Sequence, residues 1–289
     1  MSSIFSWQLD TLSNVEFSGL VIFISAAAGF LGSLTGLGGG VVITPALVLL
    51  LGVDLRYAIG ASLVSVIATS SGAASAYVQE GFSNIRIGMF LEIATTIGAL
   101  FGAYLSAKTS ASALGVIFGF VLLYSAYQSS RPEPPVHSDP HPDSLATRLR
   151  LSGTFPGEQG PQNYVAHRVE AGFAVMFGAG TLSGLLGIGS GAVKVIAMDQ
   201  AMRLPFKVST ATSNFMIGVT AAASAGIYLK RGYIDPGLAM PVMLGVVAGS
   251  FFGARKLAGA GTRFLRILFA VVVGSLALEM IYSGFTGKL

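Results

Sequence analysis

Long apolar runs alternate with short polar interruptions along most of the chain. The runs predict helices over 15–34, 57–78, 86–106, 111–128, 168–186, 207–230, 236–257 and 262–282. About 20 apolar residues are what a helix needs to cross a hydrocarbon core of about 30 Å. Two shorter apolar segments, 41–51 and 192–202, each follow a glycine cluster. The clusters are Gly36-Leu37-Gly38-Gly39-Gly40 and Gly187-Ile188-Gly189-Ser190-Gly191. A glycine costs a helix roughly 1 kcal/mol relative to alanine, so a helix should break in each cluster and a new one start behind it. A helix start presents backbone N–H groups with partial positive charge. Aimed at a cavity inside a membrane, it makes a candidate anion site.

The two clusters stand 151 residues apart, and the segments around them correspond. Gly98-Ala99-Leu100-Phe101-Gly102-Ala103 aligns with Gly249-Ser250-Phe251-Phe252-Gly253-Ala254 at the same offset. The span after each short segment is rich in hydroxyl groups: Ser62, Ser65, Thr69, Ser70, Ser71 and Ser75 in the first half, Ser209, Thr210, Thr212, Ser213 and Thr220 in the second. Between the halves, 129–164 holds seven of the eleven prolines and reads as a polar, mobile linker. The predicted organisation is an N-terminal transmembrane repeat over 15–128, a linker over 129–167, and a C-terminal transmembrane repeat over 168–284. The fold class is an all-α polytopic membrane protein, with broken helices meeting at a central cavity.

Composition agrees. Only 10% of residues are charged and mean hydropathy is +0.72, against about 25% charged in an ordinary soluble domain. The absence of cysteine excludes disulfides and thiolate chemistry. The net charge of +4 calls for no nucleic acid. No basic n-region precedes the first apolar run, so no secretory signal peptide is read. Charge also bears on topology. A short segment of 11–13 residues is roughly 16–20 Å long, which on length alone suggests re-entrant helices, eight spans and parallel repeats. If the short helices cross and the N-terminus is outside, eleven Lys and Arg fall inside and five outside, Lys194 set aside. The re-entrant arrangement splits them evenly. The positive-inside rule therefore favours ten segments and an inverted repeat.

Lys194 is the sharpest single residue, three positions after Gly191 in the first turn of a short apolar helix. Ionisable groups at membrane depth are costly and functional or paired. Two readings are open: its ammonium adds positive charge to a site for an anion, or it snorkels to an interface or pairs with Asp199 or Glu92. Glu92, six residues into its span, either carries a proton or neutralises a nearby cation, the second being favoured. Asp199 and Arg203, and Glu279 near a segment end, read as helix-surface charges. Hydroxyl and amide groups beside the short helices can donate hydrogen bonds to an anion, or can tie helices together. The candidate substrate-binding set is Gly36, Gly38, Gly39, Gly40, Ser62, Gly187, Gly189, Ser190, Gly191, Lys194, Thr212, Ser213 and Asn214. His137 and His141 lie among prolines that prevent a shared helix face, so a solvated loop is expected rather than a metal site.

The first glycine cluster with Pro45 five residues on, its echo at 187–191, and the motifs Gly60-Ala61-Ser62 and Thr210-Ala211-Thr212-Ser213 together resemble the sulfite exporter TauE/SafE permease family. The resemblance spans both halves and omits the linker. It implies a secondary transporter for sulfite or an organosulfonate in the bacterial inner membrane. The implied partners are a small anionic substrate and the lipid bilayer. No cofactor is expected, and oligomeric state is not implied. The second half departs from the pattern at Ser190, at Val195-Ile196 where the first half has Thr44-Pro45, and at Lys194. Three rival readings are transport of a non-sulfur anion such as a carboxylate, an intramembrane enzyme, and a non-transporting scaffold or sensor. The enzyme is disfavoured: no paired aspartates, no Ser–His pair and no HExxH motif lie in a clear span.

Overall fold

Why the helices sit where they do follows from the apolar runs. In the computed structural model, which describes residues 14–33, 40–79, 83–130, 143–157, 160–257 and 262–288, each predicted run forms a helix within about three residues of its expected ends. They are α1 (Asn14–Ser33), α2 (Gly40–Leu51), α3 (Leu55–Gln79), α4 (Ile85–Ser106) and α5 (Ala111–Ser130). After the linker come α7 (Val169–Leu186), α8 (Gly191–Ile196), α9 (Phe206–Lys230), α10 (Pro236–Leu257) and α11 (Thr262–Phe285). Among the described residues, three helices carry windows long and apolar enough to cross a membrane: Val15–Gly32, Ile85–Ser106 and Val169–Leu186. Shorter apolar stretches mark α2, α5, α10 and α11.

Packing is reciprocal. Helix α1 lies along α10, and α4 along α7. The hydroxyl-rich helices α3 and α9 cross each other, while α3 also touches α10 and α9 touches α4. Helices α5 and α11 pair with one another. Glycines set the two tightest interfaces. A Cβ on Gly180 or Gly184 of α7 would fall 2.1 Å from Thr95 O or 2.0 Å from Ala99 O of α4. One on Gly249 of α10 would fall 1.9 Å from Ala26 O of α1. Bare backbone lets these helices approach closely, the usual way to gain dispersion energy where lipid supplies no hydrophobic drive.

Two local features depart from expectation. The short segment after the second cluster is not one α-helix: α8 ends at Ile196 and the chain continues as a π-helical turn, Ala197–Ala201. Met202 N donates to Ala197 O at 3.1 Å, a five-residue step. More substantially, much of the expected mobile linker is ordered. It contains a helical turn, α6 (Ser144–Arg148), and an antiparallel hairpin, β1 (Ser152–Gly157) with β2 (Gly160–Val165). Each strand of a two-stranded ribbon has a free edge, so Pro156 and Pro161, directly paired, cost no ladder bond. Phe155 and Tyr164 are buried in a cluster with Ala146, Leu151, Met198, Met202 and Leu204. Gly153 faces Tyr164, and its missing side chain leaves room for the phenol. That hydroxyl accepts from Asn84 Nδ2 at 2.7 Å, and burial pushes it above the ordinary tyrosine range. Asn84 also caps α4 through its bond from Ile87 N. The hairpin is thereby fastened to the start of a membrane helix. His137 and His141 lie outside the described residues.

Candidate functional site

The second glycine cluster makes a tight reversal between α7 and α8. Gly187, Gly189 and Ser190 all have left-handed backbone, with φ of 68°, 69° and 46°. Glycine adopts this conformation freely, but a residue with a Cβ is strained by roughly 1–2 kcal/mol there. Ser190 therefore stores strain at the N-cap of α8, and its hydroxyl is buried without a hydrogen-bond partner. The carbonyls left over at the end of α7 are satisfied from other helices. The Tyr228 hydroxyl of α9 lies 2.9 Å from Ser106 Oγ and 3.2 Å from both Gly184 O and Leu185 O, so its single proton serves one of these acceptors at a time. Ser62 of α3 reaches Gly187 O at 3.0 Å.

Ser62 joins the end of α7 to the start of α2, because its hydroxyl also lies 3.3 Å from Gly40 O, at the first residue of α2. The second half repeats this contact: Ser213 of α9 donates to Gly191 O, the first residue of α8, at 3.3 Å. Serine and glycine are 22 residues apart in both cases. Gly189 packs between Val66 of α3 and Ile217 of α9, where a Cβ would lie 2.8 Å from Ile217 Cγ2. Gly40, Ser62, Gly187, Gly189, Ser190, Gly191 and Ser213 are thus gathered where α3, α9 and the two short helices meet. Gly36, Gly38 and Gly39 lie outside the described residues.

Other candidates are engaged elsewhere. Thr212 accepts from Asn84 N at 3.0 Å, near the start of α4. Asn214 donates to Thr210 O of its own helix at 3.1 Å. Ser65, Thr69, Ser70 and Ser71 each bond a carbonyl three or four residues back, as hydroxyls in apolar helices do.

Lys194 does not snorkel. It is fully buried, and its ammonium donates to Thr220 Oγ1 on α9. Thr220 Oγ1 in turn donates to Glu92 Oε1 of α4 at 2.7 Å, with Met216 O as a second acceptor at 3.0 Å. Thr96 also donates to Glu92 Oε1, at 3.1 Å. A lysine and a glutamate from opposite halves are thus linked through one hydroxyl. Asp199 is not the partner in this chain of bonds. Glu92 Oε2 is buried and unpartnered. At an offset of 151, Lys194 stands opposite Ile43, Thr220 opposite Thr69 and Glu92 opposite Met243, so neither charge has a charged counterpart at that spacing. Thr220 and Thr96 were not among the expected site residues. Sequence spacing gave no sign of Thr220, 128 residues from Glu92, whereas Thr96 stands four residues from Glu92 on the same helix, a spacing that brings two side chains together.

The family model for the sulfite exporter TauE/SafE matches residues 21–280. YunE of Bacillus subtilis (strain 168), described as a "Probable membrane transporter protein", is 28% identical over 277 residues, covering 92% of this chain and 97% of that protein. YdhB of the same organism, with the same description, is 26% identical over 239 residues, or 82% and 89% of the two chains. A protein of Xylella fastidiosa (strain 9a5c), so described too, is 24% identical over 257 residues, or 88% and 91%. No solved structure matches the chain at a significant level. With the match running from α1 into α11 and across both glycine clusters, the chain belongs to the sulfite exporter TauE/SafE family.

Proposed function

We propose that this chain is a secondary transporter of a small anion, sulfite or an organosulfonate by class, embedded as a multi-pass protein in the bacterial inner membrane. The observation that carries the proposal is Lys194, a fully buried lysine on the helix that follows the second glycine cluster. A buried ammonium is expensive and calls for negative charge nearby; Glu92 supplies it through Thr220 in the unliganded chain, and the anion is proposed to take over that role. Family membership and the descriptions of the relatives support transport over catalysis.

The chain is further proposed to consist of two inverted repeats, 15–128 and 168–284, joined by the segment 129–167. Three observations support this. The α1–α10 and α4–α7 contacts interchange under the repeat, the Ser62–Gly40 and Ser213–Gly191 bonds recur at offset 151, and basic residues favour one side. Transport would then proceed by one repeat rocking against the other around the short helices.

The test is thermal stabilisation of purified protein in detergent by sulfite, sulfate, thiosulfate, sulfoacetate, taurine and simple carboxylates, followed by uptake into proteoliposomes. A ligand that binds the folded state alone raises stability by about 2.7 kcal/mol at 100 times its Kd. A selective shift with a sulfur oxyanion, lost in Lys194→Met, is the expected result. A shift with carboxylates alone assigns a non-sulfur cargo. No shift and no uptake with any anion leaves a scaffold or sensor.

A further inference from the structure

We propose that Glu92 is the proton-binding residue of a proton-coupled anion carrier, with the Thr220 hydroxyl as the link through which Lys194 senses its charge. This rests on the anion-transport reading above and adds the coupling ion to it. The geometry around the carboxylate is uneven. Glu92 Oε1 receives both hydroxyl donors, Thr220 and Thr96, while Oε2 is buried with no partner. Oε2 is thus the one carboxylate position that no neighbouring donor fills, which leaves it open to a proton.

Charge balance supplies the coupling. With Glu92 ionised, Lys194 and Glu92 neutralise each other through Thr220. With a proton on Oε2, the cluster carries one uncompensated buried positive charge, which an anion entering beside Lys194 cancels. Proton and anion therefore favour each other's binding, and the reciprocity is thermodynamically required. The proton arrives from water on one side, resides on Oε2, and leaves to water on the other side with the anion.

The surrounding elements offer few competing charges. Helix α4 itself has Arg86, exposed at its start; α7 has Glu170, exposed in its first turn; α9 has Lys207 and Lys230, exposed near its two ends. The segment bearing Lys194 has Asp199, half-buried in the π-helical turn. Lys194 is hydrogen-bonded into the Glu92 cluster through Thr220.

Binding of thiosulfate to the purified full chain tests the proposal, because this probe does not itself titrate between pH 6 and 8. The wild-type protein should take up one proton per thiosulfate bound in weakly buffered solution. Its apparent Kd should rise toward tenfold per pH unit in the range where unliganded Glu92 is ionised. Glu92→Gln, a permanent mimic of the protonated acid, should flatten the pH profile and abolish proton uptake. Glu92→Asp should retain the slope, offset along the pH axis. Zero proton uptake by the wild type, or an unchanged slope in Glu92→Gln, overturns the inference alone. Absence of binding for every anion in the panel overturns the transport reading and this inference together. A wild-type count of zero needs no variant, so it overturns the inference even where Glu92→Gln fails to fold, and absence of the displacement along the pH axis in Glu92→Asp overturns it where that variant folds.

Discussion

Replacing Lys194 by Met keeps an unbranched side chain of similar length and removes one charge. The ammonium and Glu92 Oε1 are bridged by a single hydroxyl oxygen, so they lie no more than about 5 Å apart. At an effective dielectric of about 20, unit charges at about 5 Å attract by about 3 kcal/mol. That agrees with about 3–5 kcal/mol for stranding one member of a buried pair. Glu92→Gln should cost a similar amount by stranding the lysine. The double variant removes both charges, so it should be no less stable than either single one. The assay is thermal unfolding in detergent at pH 7.5, without added substrate, followed by far-ultraviolet circular dichroism. At about 2–4 °C per kcal/mol, each single variant should melt about 6–12 °C below the wild type. The double variant should show a coupling of about 3 kcal/mol. Additive losses would refute the charge link, since independent residues show no coupling.

Three further outcomes are expected. Gly184→Ala should drive α7 from α4, because its Cβ would lie 2.0 Å from Ala99 O, whereas Gly178→Ala on the same helix meets nothing within 4 Å; size-exclusion profiles of detergent extracts should show loss of folded protein for the first and none for the second. Tyr228→Phe should lower stability by about 1–3 kcal/mol, since buried carbonyls at the end of α7 lose their donor, read as a lower melting temperature. Asn84→Ala should cost about 1 kcal/mol by uncapping α4, and limited proteolysis should cut the hairpin faster once Tyr164 loses its amide donor.

Much of the helical framework was legible because lipid imposes one rule: a spanning segment must be apolar and must satisfy its own backbone. Runs such as 236–257 therefore announce a helix at both ends, and α10 is Pro236–Leu257. The hairpin was not legible. Prolines and glycines at 153–161 dominate the local signal, and the two side chains that anchor the ribbon, Phe155 and Tyr164, gain meaning only from the cluster they enter. The candidate site was legible in part. Gly40, Ser62 and Gly187 meet as hydrogen-bonded neighbours, and Ser213 bonds Gly191, while Thr212 and Asn214 bond away from that junction.

By itself the sequence determined the membrane class, the ten apolar segments, the short helix behind each glycine cluster, the family resemblance, and the presence of a lysine at 194 where the residue 151 positions earlier is isoleucine. These are properties of composition and local spacing, set by the cost of exposing backbone or charge to hydrocarbon. Only the tertiary structure decided that Lys194 is partnered through Thr220 with Glu92, and that one serine, Ser62, joins the start of α2 to the end of α7. Those relations depend on how α3, α4 and α9 cross. Helix crossing is fixed by glycine-backed contacts far apart in the chain, such as Gly184 against Ala99, which no local pattern encodes.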